Sequence, residues 1–137
     1  IWIGELSSQV YRQFVLPYSK LIFESLSDKS LPLIHFGTNT AGMLSDFASV
    51  KCDVVGVDWR VSIEKAWSQV GMDKAIQGNL DPVALLSDFS VIKKQVDLIF
   101  STLPKKTGFI FNLGHGVLQK TPVENLIRST DYVHIKH

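Results

Sequence analysis

The stretch Val54-Val55-Gly56-Val57-Asp58-Trp59 decides the fold class of this 137-residue chain. Its branched apolar side chains run on without alternating with polar ones, which is typical of a strand buried on both faces of a parallel sheet. Further runs of the same character are Leu33–Phe36, Ala75–Leu80 and Phe109–Leu113. The sequence therefore predicts four strands of a parallel sheet.

Segments with helical periodicity separate these strands. Apolar residues recur at intervals of three and four between Val10 and Leu26, and Pro17 predicts that a helix begins or kinks there. Further helix signals are Met43–Ala48, an N-cap at Ser62, Asp81-Pro82 with a break near Asp88, and the capping sequence Thr121-Pro122-Val123-Glu124. Residues 1–4 are interpreted as the end of another strand, so that the chain is expected to be a piece of something longer. The repeating βα order allows an open doubly wound sheet or part of a (β/α)8 barrel.

Composition excludes several function classes. The chain is 45% hydrophobic with a formal net charge of +1, so it carries no basic field for nucleic acid. Its single cysteine, Cys52, cannot close an internal disulfide or build a multi-thiolate zinc site, and is interpreted as a packed core residue. No run approaches the roughly 18 uncharged apolar residues of a membrane span, and no signal peptide opens the chain. We therefore expect a cytoplasmic protein without a membrane or nucleic-acid partner.

The residues that follow each strand are the candidates for chemistry, because parallel βα folds bind their ligands there. His115 lies between two glycines at the end of the fourth strand and has the strongest functional case. Asn79 must find hydrogen-bond partners at the end of the third strand, and Asp58 ends the second. Phe36, at the end of the first strand, is a further candidate for substrate contact.

Each candidate also has a structural interpretation. The loop Gly37–Gly42 could present backbone N–H groups to an anion, or it could be an ordinary βα turn. Asp58 could form a structural salt bridge with a neighbouring cation such as Arg60. His35 lies within a strand, so a hydrogen-bonded core or barrel-lining histidine is its default interpretation. His134 and His137 are expected to be exposed to solvent.

Three motifs, in order, strongly resemble the uroporphyrinogen decarboxylase family. They are Val54–Trp59, Gln77–Pro82 and Asn112–Val117; the helix start Thr121–Asn125 and the segments Trp2–Gly4, Tyr11–Phe14 and Leu16–Tyr18 are similar to that family too. The resemblance covers essentially the whole chain. It implies that residues 1–137 form the C-terminal half, strands five to eight, of a single (β/α)8 barrel.

The resemblance also implies an activity. Family members decarboxylate the four acetate side chains of uroporphyrinogen, giving coproporphyrinogen in porphyrin and haem synthesis, and use neither metal nor organic cofactor. They form homodimers. By resemblance His115 hydrogen-bonds a substrate carboxylate, whereas the family's central aspartate, arginine cluster and tyrosine have no counterpart here. The family's cleft serine would fall at Ile1, so its role is not transferred. The chain alone is therefore expected to be inactive, with open strand edges through which it could self-associate.

Two alternatives remain open. Cobamide-dependent methyltransferases of the same barrel superfamily carry His-x-Cys after the fifth strand and a second cysteine near the last. This chain has His35-Phe36-Gly37 and His115 at the corresponding positions, so a zinc site is not expected. The other alternative is a non-catalytic βα domain used for interaction, which nothing in the charge pattern favours.

Overall fold

Four parallel strands form one sheet in the computed structural model, which describes residues 3–136. The strands are β1 (Ile34–Phe36), β2 (Val54–Gly56), β3 (Ala75–Leu80) and β4 (Phe109–Leu113), and they lie in the order β1-β2-β3-β4. In a doubly wound sheet the strand order reverses at a switch point, whereas each strand of a (β/α)8 barrel lies beside its predecessor. The strictly sequential order therefore identifies this sheet as part of a barrel.

Helices precede and separate the strands as the sequence predicts. The α-helices are α1 (Ser8–Phe14), α2 (Leu16–Leu26), α3 (Leu44–Ala48), α4 (Ile63–Val70), α5 (Phe89–Ser101) and α6 (Val123–Lys136), and short 3-10 helices cover Ile3–Glu5, Ser27–Lys29 and Pro82–Leu86. The predicted break at Pro17 is confirmed, because α1 ends at Phe14 and Pro17 lies in the first turn of α2. Within residues 3–136, none of these helices has the length and apolar character needed to cross a bilayer.

Local capping explains where two of these elements start. The Ser62 hydroxyl accepts a hydrogen bond from the Lys65 amide at 3.4 Å and begins α4, as predicted. The Asp81 carboxylate likewise accepts from the Val83 amide at 2.9 Å. The turn that Asp81 begins is a 3-10 helix, and α5 starts separately after Asp88, which confirms the predicted break.

Two local predictions are wrong. Ile3 and Gly4 do not end a strand: the Leu6 amide donates to the Ile3 carbonyl and the Asn39 side chain donates to the Gly4 carbonyl at 3.2 Å, so the segment coils over the loop after β1. Residues 1 and 2 lie outside the described range. Among the described residues the Thr121 hydroxyl has no hydrogen-bond partner and caps nothing. The Pro122 carbonyl accepts the first amide bonds of α6 instead.

The two faces of the sheet differ in burial. The row His35, Val55, Ile76 and Phe109, aligned by the strand register, faces the helices and is at most 8% exposed. On the opposite face Ile34, Phe36 and Ile110 are 39–46% exposed. The prediction of strands buried on both faces therefore holds for β2 but is wrong for β1 and β4. The helices cover one face only, and the other is the face that points to the centre of a closed barrel.

His35 belongs to the core, which confirms its default interpretation. Its Nδ1 lies 2.9 Å from the Phe47 carbonyl oxygen, and its ring stacks on the Phe47 ring with centroids 3.7 Å apart. Phe23 contacts the same ring from α2. Burial lowers the pKa of His35, and the hydrogen bond to the Phe47 carbonyl only partly opposes this effect. Because a carbonyl oxygen only accepts, Nδ1–H of His35 is the donor in this hydrogen bond.

This burial predicts a pH dependence of stability. The unfolded chain has a histidine pKa of about 6.5, above that of folded His35, so the unfolded state binds more protons as the pH falls below that value. The free energy of unfolding is expected to be insensitive to His35 above about pH 7 and to decrease as the pH falls through about 6.5. His35→Asn keeps an N–H donor and removes the titration.

The measurement is denaturant unfolding at a neutral and a mildly acidic pH. The decrease should be smaller in His35→Asn than in the wild type, whereas His134→Asn, at an exposed position on α6, should retain it in full. An equal decrease in the wild type and in His35→Asn would contradict the assignment.

Candidate functional site

A cleft of about 470 Å³ lies at the carboxyl ends of the strands. Its lining residues follow all four strands: Thr38, Trp59, Arg60, Asp81, Pro82, Val83, His115 and Leu118. This is the end of the sheet at which barrel enzymes assemble their active sites. The cleft therefore has the position that the sequence predicts for chemistry, and His115 forms part of its wall.

Asp58 lies beneath the cleft rather than in its wall, and it is only 1% exposed. Its Oδ2 accepts a hydrogen bond from the Asn39 amide at 2.6 Å and contacts Nη1 of Arg60 at the same distance, while its Oδ1 accepts from the Arg60 amide at 3.1 Å. A buried carboxylate needs such compensation for its lost hydration. Asp58 thus forms the structural salt bridge that sequence analysis gave as the alternative. A direct contact between Asp58 and a substrate stays a prediction.

Arg60 places a cation at the rim of the cleft. Its side chain is 45% exposed, and its guanidinium carbon lies 4.2 Å above the Trp59 ring centroid. A guanidinium has five N–H donors, and the bond to Asp58 uses Nη1. The group is therefore held by the Asp58 carboxylate and by the face of the Trp59 indole while it still lines the cleft.

Asn79 braces the same loop from β3. It is 5% exposed, and its Nδ2 donates to the Asp58 carbonyl at 2.9 Å and to the Val61 carbonyl at 2.6 Å. The expectation that this amide must find partners is confirmed. Before it, Gly78 adopts φ +148°, and a Cβ there would lie 2.6 Å from the Val57 carbonyl oxygen. Asn79 therefore holds the loop after β2, and its predicted contact with substrate stays a prediction.

His115 reaches the cleft because the turn around it packs closely on the β2 loop. A Cβ at Gly114 would lie 2.6 Å from the Trp59 amide nitrogen, whereas a Cβ at Gly116 would meet nothing within 4 Å. The exposed His115 ring meets the Trp59 ring edge-on, with centroids 6.5 Å apart. Trp59 therefore contacts both the cation of Arg60 and the imidazole of His115.

Of the remaining candidates, only the loop Gly37–Gly42 reaches the cleft wall, through Thr38. Phe36 is 39% exposed on the open face of the sheet, so its role in substrate binding stays a prediction. In the loop after β1, the Asn39 amide is taken by Asp58 and the Thr40 hydroxyl donates to the Gly37 carbonyl at 3.2 Å. Cys52 is a buried core residue, as predicted, and burial raises the pKa of its thiol. Across residues 3–136 no three His, Cys, Asp or Glu side chains are grouped to hold a metal ion.

From the sequence, Trp59 and Arg60 were expected at a strand end beside Asp58, but neither was named as a substrate-binding residue. The signal was present in the triplet Asp58-Trp59-Arg60 at the end of β2, where an acid, an aromatic ring and a base come together. Its interpretation as a salt bridge was correct. It did not predict that Asp58 is buried while Trp59 and Arg60 line the cleft.

Comparison with known proteins defines the class and then the family. A methyltransferase from Methanosarcina mazei has the same fold, with a TM-score of 0.77 at 20% identity over 94% of this chain and 38% of that one. The sequential parallel sheet and the cleft at its carboxyl edge thus define part of a (β/α)8-barrel protein. The family model for uroporphyrinogen decarboxylase matches residues 1–135, and the chain belongs to that family.

Curated relatives agree with the family model. A uroporphyrinogen decarboxylase of Carboxydothermus hydrogenoformans is 47% identical over 133 residues, which are 97% of this chain and 38% of the relative. One from Thermobifida fusca is 44% identical over 133 residues, 97% of this chain and 37% of the relative. The chain thus spans less than two fifths of the length of these relatives. The methyltransferase, at its lower identity, shares the fold alone.

The close contact at Gly114 predicts a sharp difference between two neighbouring glycines. Gly114→Ala places a methyl group against the Trp59 backbone, and the resulting overpacking should reduce the free energy of unfolding by about 1–3 kcal/mol. Gly116→Ala is the matched control, and its methyl group enters open space. Denaturant unfolding of both variants measures the difference. Equal stability of the two variants would show that the turn does not pack on Trp59.

Proposed function

We propose that this chain supplies one wall of the substrate cleft of a uroporphyrinogen decarboxylase, and that the whole protein converts uroporphyrinogen into coproporphyrinogen. The observation that carries the proposal is the placement of His115 beside Trp59 and Arg60 in a cleft at the carboxyl end of the sheet. Membership of the family and the names of the curated relatives support it.

The reaction needs little covalent chemistry from the protein. Protonation of a pyrrole α-carbon gives an iminium-like ring, which accepts the electron pair of the breaking C–C bond as CO₂ leaves the acetate side chain. The resulting methylene carbon takes up a proton to become a methyl group, and loss of the α-carbon proton restores the pyrrole. The ring itself is the electron sink, so the proposal includes neither metal nor organic cofactor. The protein must orient the carboxylates and supply protons.

Within this scheme His115 hydrogen-bonds a substrate carboxylate at the cleft wall. Asp58 and Asn79 hold the loop after β2 through the buried bonds described above. Both could contact substrate only where rearrangement uncovers them. Phe36 lies on the open face of the sheet, where it would face the centre of a closed barrel. We further propose that the whole protein is a cytoplasmic homodimer that binds neither membrane nor nucleic acid.

A chimera tests the proposed activity. The 133 matching residues of the Carboxydothermus hydrogenoformans enzyme are replaced by those of this chain, and coproporphyrinogen formation is measured. The chimera should be active. His115→Ala within it should lower kcat/KM about tenfold to a hundredfold, the cost of losing one hydrogen bond to a charged group.

The control is His134→Ala, at an exposed position on α6, which should leave kcat/KM unchanged. A chimera that folds, as judged by a cooperative thermal transition, but forms no coproporphyrinogen would contradict the proposal. An effect of His134→Ala as large as that of His115→Ala would remove the special role of His115.

The chain on its own is expected to be inactive. Its cleft is open on the side where the sheet face and the edges of β1 and β4 are uncovered, so water is not excluded from a bound tetrapyrrole. The purified 137-residue chain should form no coproporphyrinogen above the rate of a blank without protein. Product formation by chain free of any full-length enzyme would overturn this expectation.

A further inference from the structure

We propose that Arg60 is a carboxylate-binding residue of the cleft, and that Trp59 holds Arg60 and His115 together as a two-point site for one acidic arm of the ligand. This inference rests on the proposed function for the identity of the ligand as a carboxylated tetrapyrrole. The existence of the carboxylate site itself rests on the geometry of Arg60 alone.

The orientation of Arg60 is fixed before any ligand binds. Its amide and Nη1 both donate to the carboxylate of Asp58, which is 1% exposed and has a further bond from the Asn39 amide. Its guanidinium also stacks on Trp59 at 4.2 Å. A cation held in this way loses little side-chain entropy when it binds an anion, and its planar fork matches a carboxylate.

The guanidinium of Arg60 can bind a second partner in addition to Asp58. Asp58 contacts Nη1 of Arg60, and the side chain as a whole is still 45% exposed in the cleft wall. The five donors of a guanidinium allow a second carboxylate to bind while the first stays in place. The other acid in the wall, Asp81, has its Oδ1 bound to the Val83 amide at the start of a 3-10 helix.

The remaining wall of the cleft is largely apolar. Pro82, Val83 and Leu118 line the cleft beside Trp59, so an apolar body can lie there while a carboxylate meets Arg60 and His115. This combination of an apolar cleft with a few polar groups at defined positions is typical of sites for small organic ligands. An apolar ring system that carries acidic arms fits this chemistry.

Other arginines of the chain provide matched controls. Arg12 forms an ion pair with Asp46 at 3.1 Å, with its side chain 56% exposed, but it does not line the cleft. Arg128 lies 4.0 Å above the Phe89 ring and likewise lies outside the cleft lining. Arg12 therefore reproduces the ion pair of Arg60, and Arg128 reproduces its stacking on an aromatic ring, but neither residue lines the cleft.

The test measures the binding of two probes to the 137-residue chain. Benzenehexacarboxylate, followed by calorimetry, probes carboxylate binding alone, and uroporphyrin, followed by its fluorescence, probes the proposed substrate class. Arg60→Gln should weaken binding of benzenehexacarboxylate about tenfold to a hundredfold, as expected for loss of hydrogen bonds to a charged group. Arg60→Lys should show a smaller loss, because it keeps the charge but not the fork. Arg12→Gln and Arg128→Gln should bind as the wild type does.

The outcomes separate this inference from the proposed function. Unchanged benzenehexacarboxylate binding in Arg60→Gln, or no binding by the wild type, overturns the role of Arg60. If benzenehexacarboxylate binding depends on Arg60 but the folded chimera described above forms no coproporphyrinogen, the carboxylate site stands and the proposed substrate does not. If Arg60→Gln does not fold, as judged by its thermal transition, the affinities of Arg60→Lys and Arg12→Lys for benzenehexacarboxylate are compared instead. Equal affinities of these two variants would overturn the inference.

Discussion

The buried charge of Asp58 is the constraint on which the cleft depends. Removing a carboxylate from water costs several kcal/mol unless hydrogen bonds and an opposite charge replace its hydration. Here the replacement comes from the loop after β1 through the Asn39 amide and from the loop after β2 through the amide and guanidinium of Arg60. The carboxylate therefore fixes the two loops relative to each other. Movement of the Arg60 side chain away from Asp58 would leave the buried carboxylate without an opposite charge.

Other parts of the chain converge on the same loop. Asn79 from β3 binds the carbonyl groups of Asp58 and Val61, and Gly114 from β4 lies against the Trp59 backbone. The loop after β2 thus contacts the loop after β1 and the carboxyl ends of β3 and β4. Because sequential parallel strands bring their carboxyl ends to one edge, residues far apart in sequence can share this one loop.

The periodic features of the fold were accessible from the sequence. Unbroken apolar runs located all four strands, and the caps at Ser62 and Asp81 located two helix starts, because these signals depend on neighbouring residues. Features that depend on distant residues were not accessible. The 3-10 helix Ile3–Glu5 contacts the distant Asn39 side chain, and the exposure of Phe36 depends on which face the helices cover. The place of Trp59 and Arg60 in the cleft wall was not accessible for the same reason, since it follows from the burial of Asp58.

The charge of the cleft indicates which task this part of the barrel can perform. Uroporphyrinogen carries eight carboxylates, whereas the described part of the cleft wall offers Arg60 over the face of Trp59 and His115 at the edge of the same ring. Two groups that line one cleft and contact the same indole can serve one carboxylate, and each such charge-assisted contact contributes about 1.5–3 kcal/mol. On the proposed function this wall therefore orients one acidic arm, and the other arms must meet cations elsewhere in the whole protein.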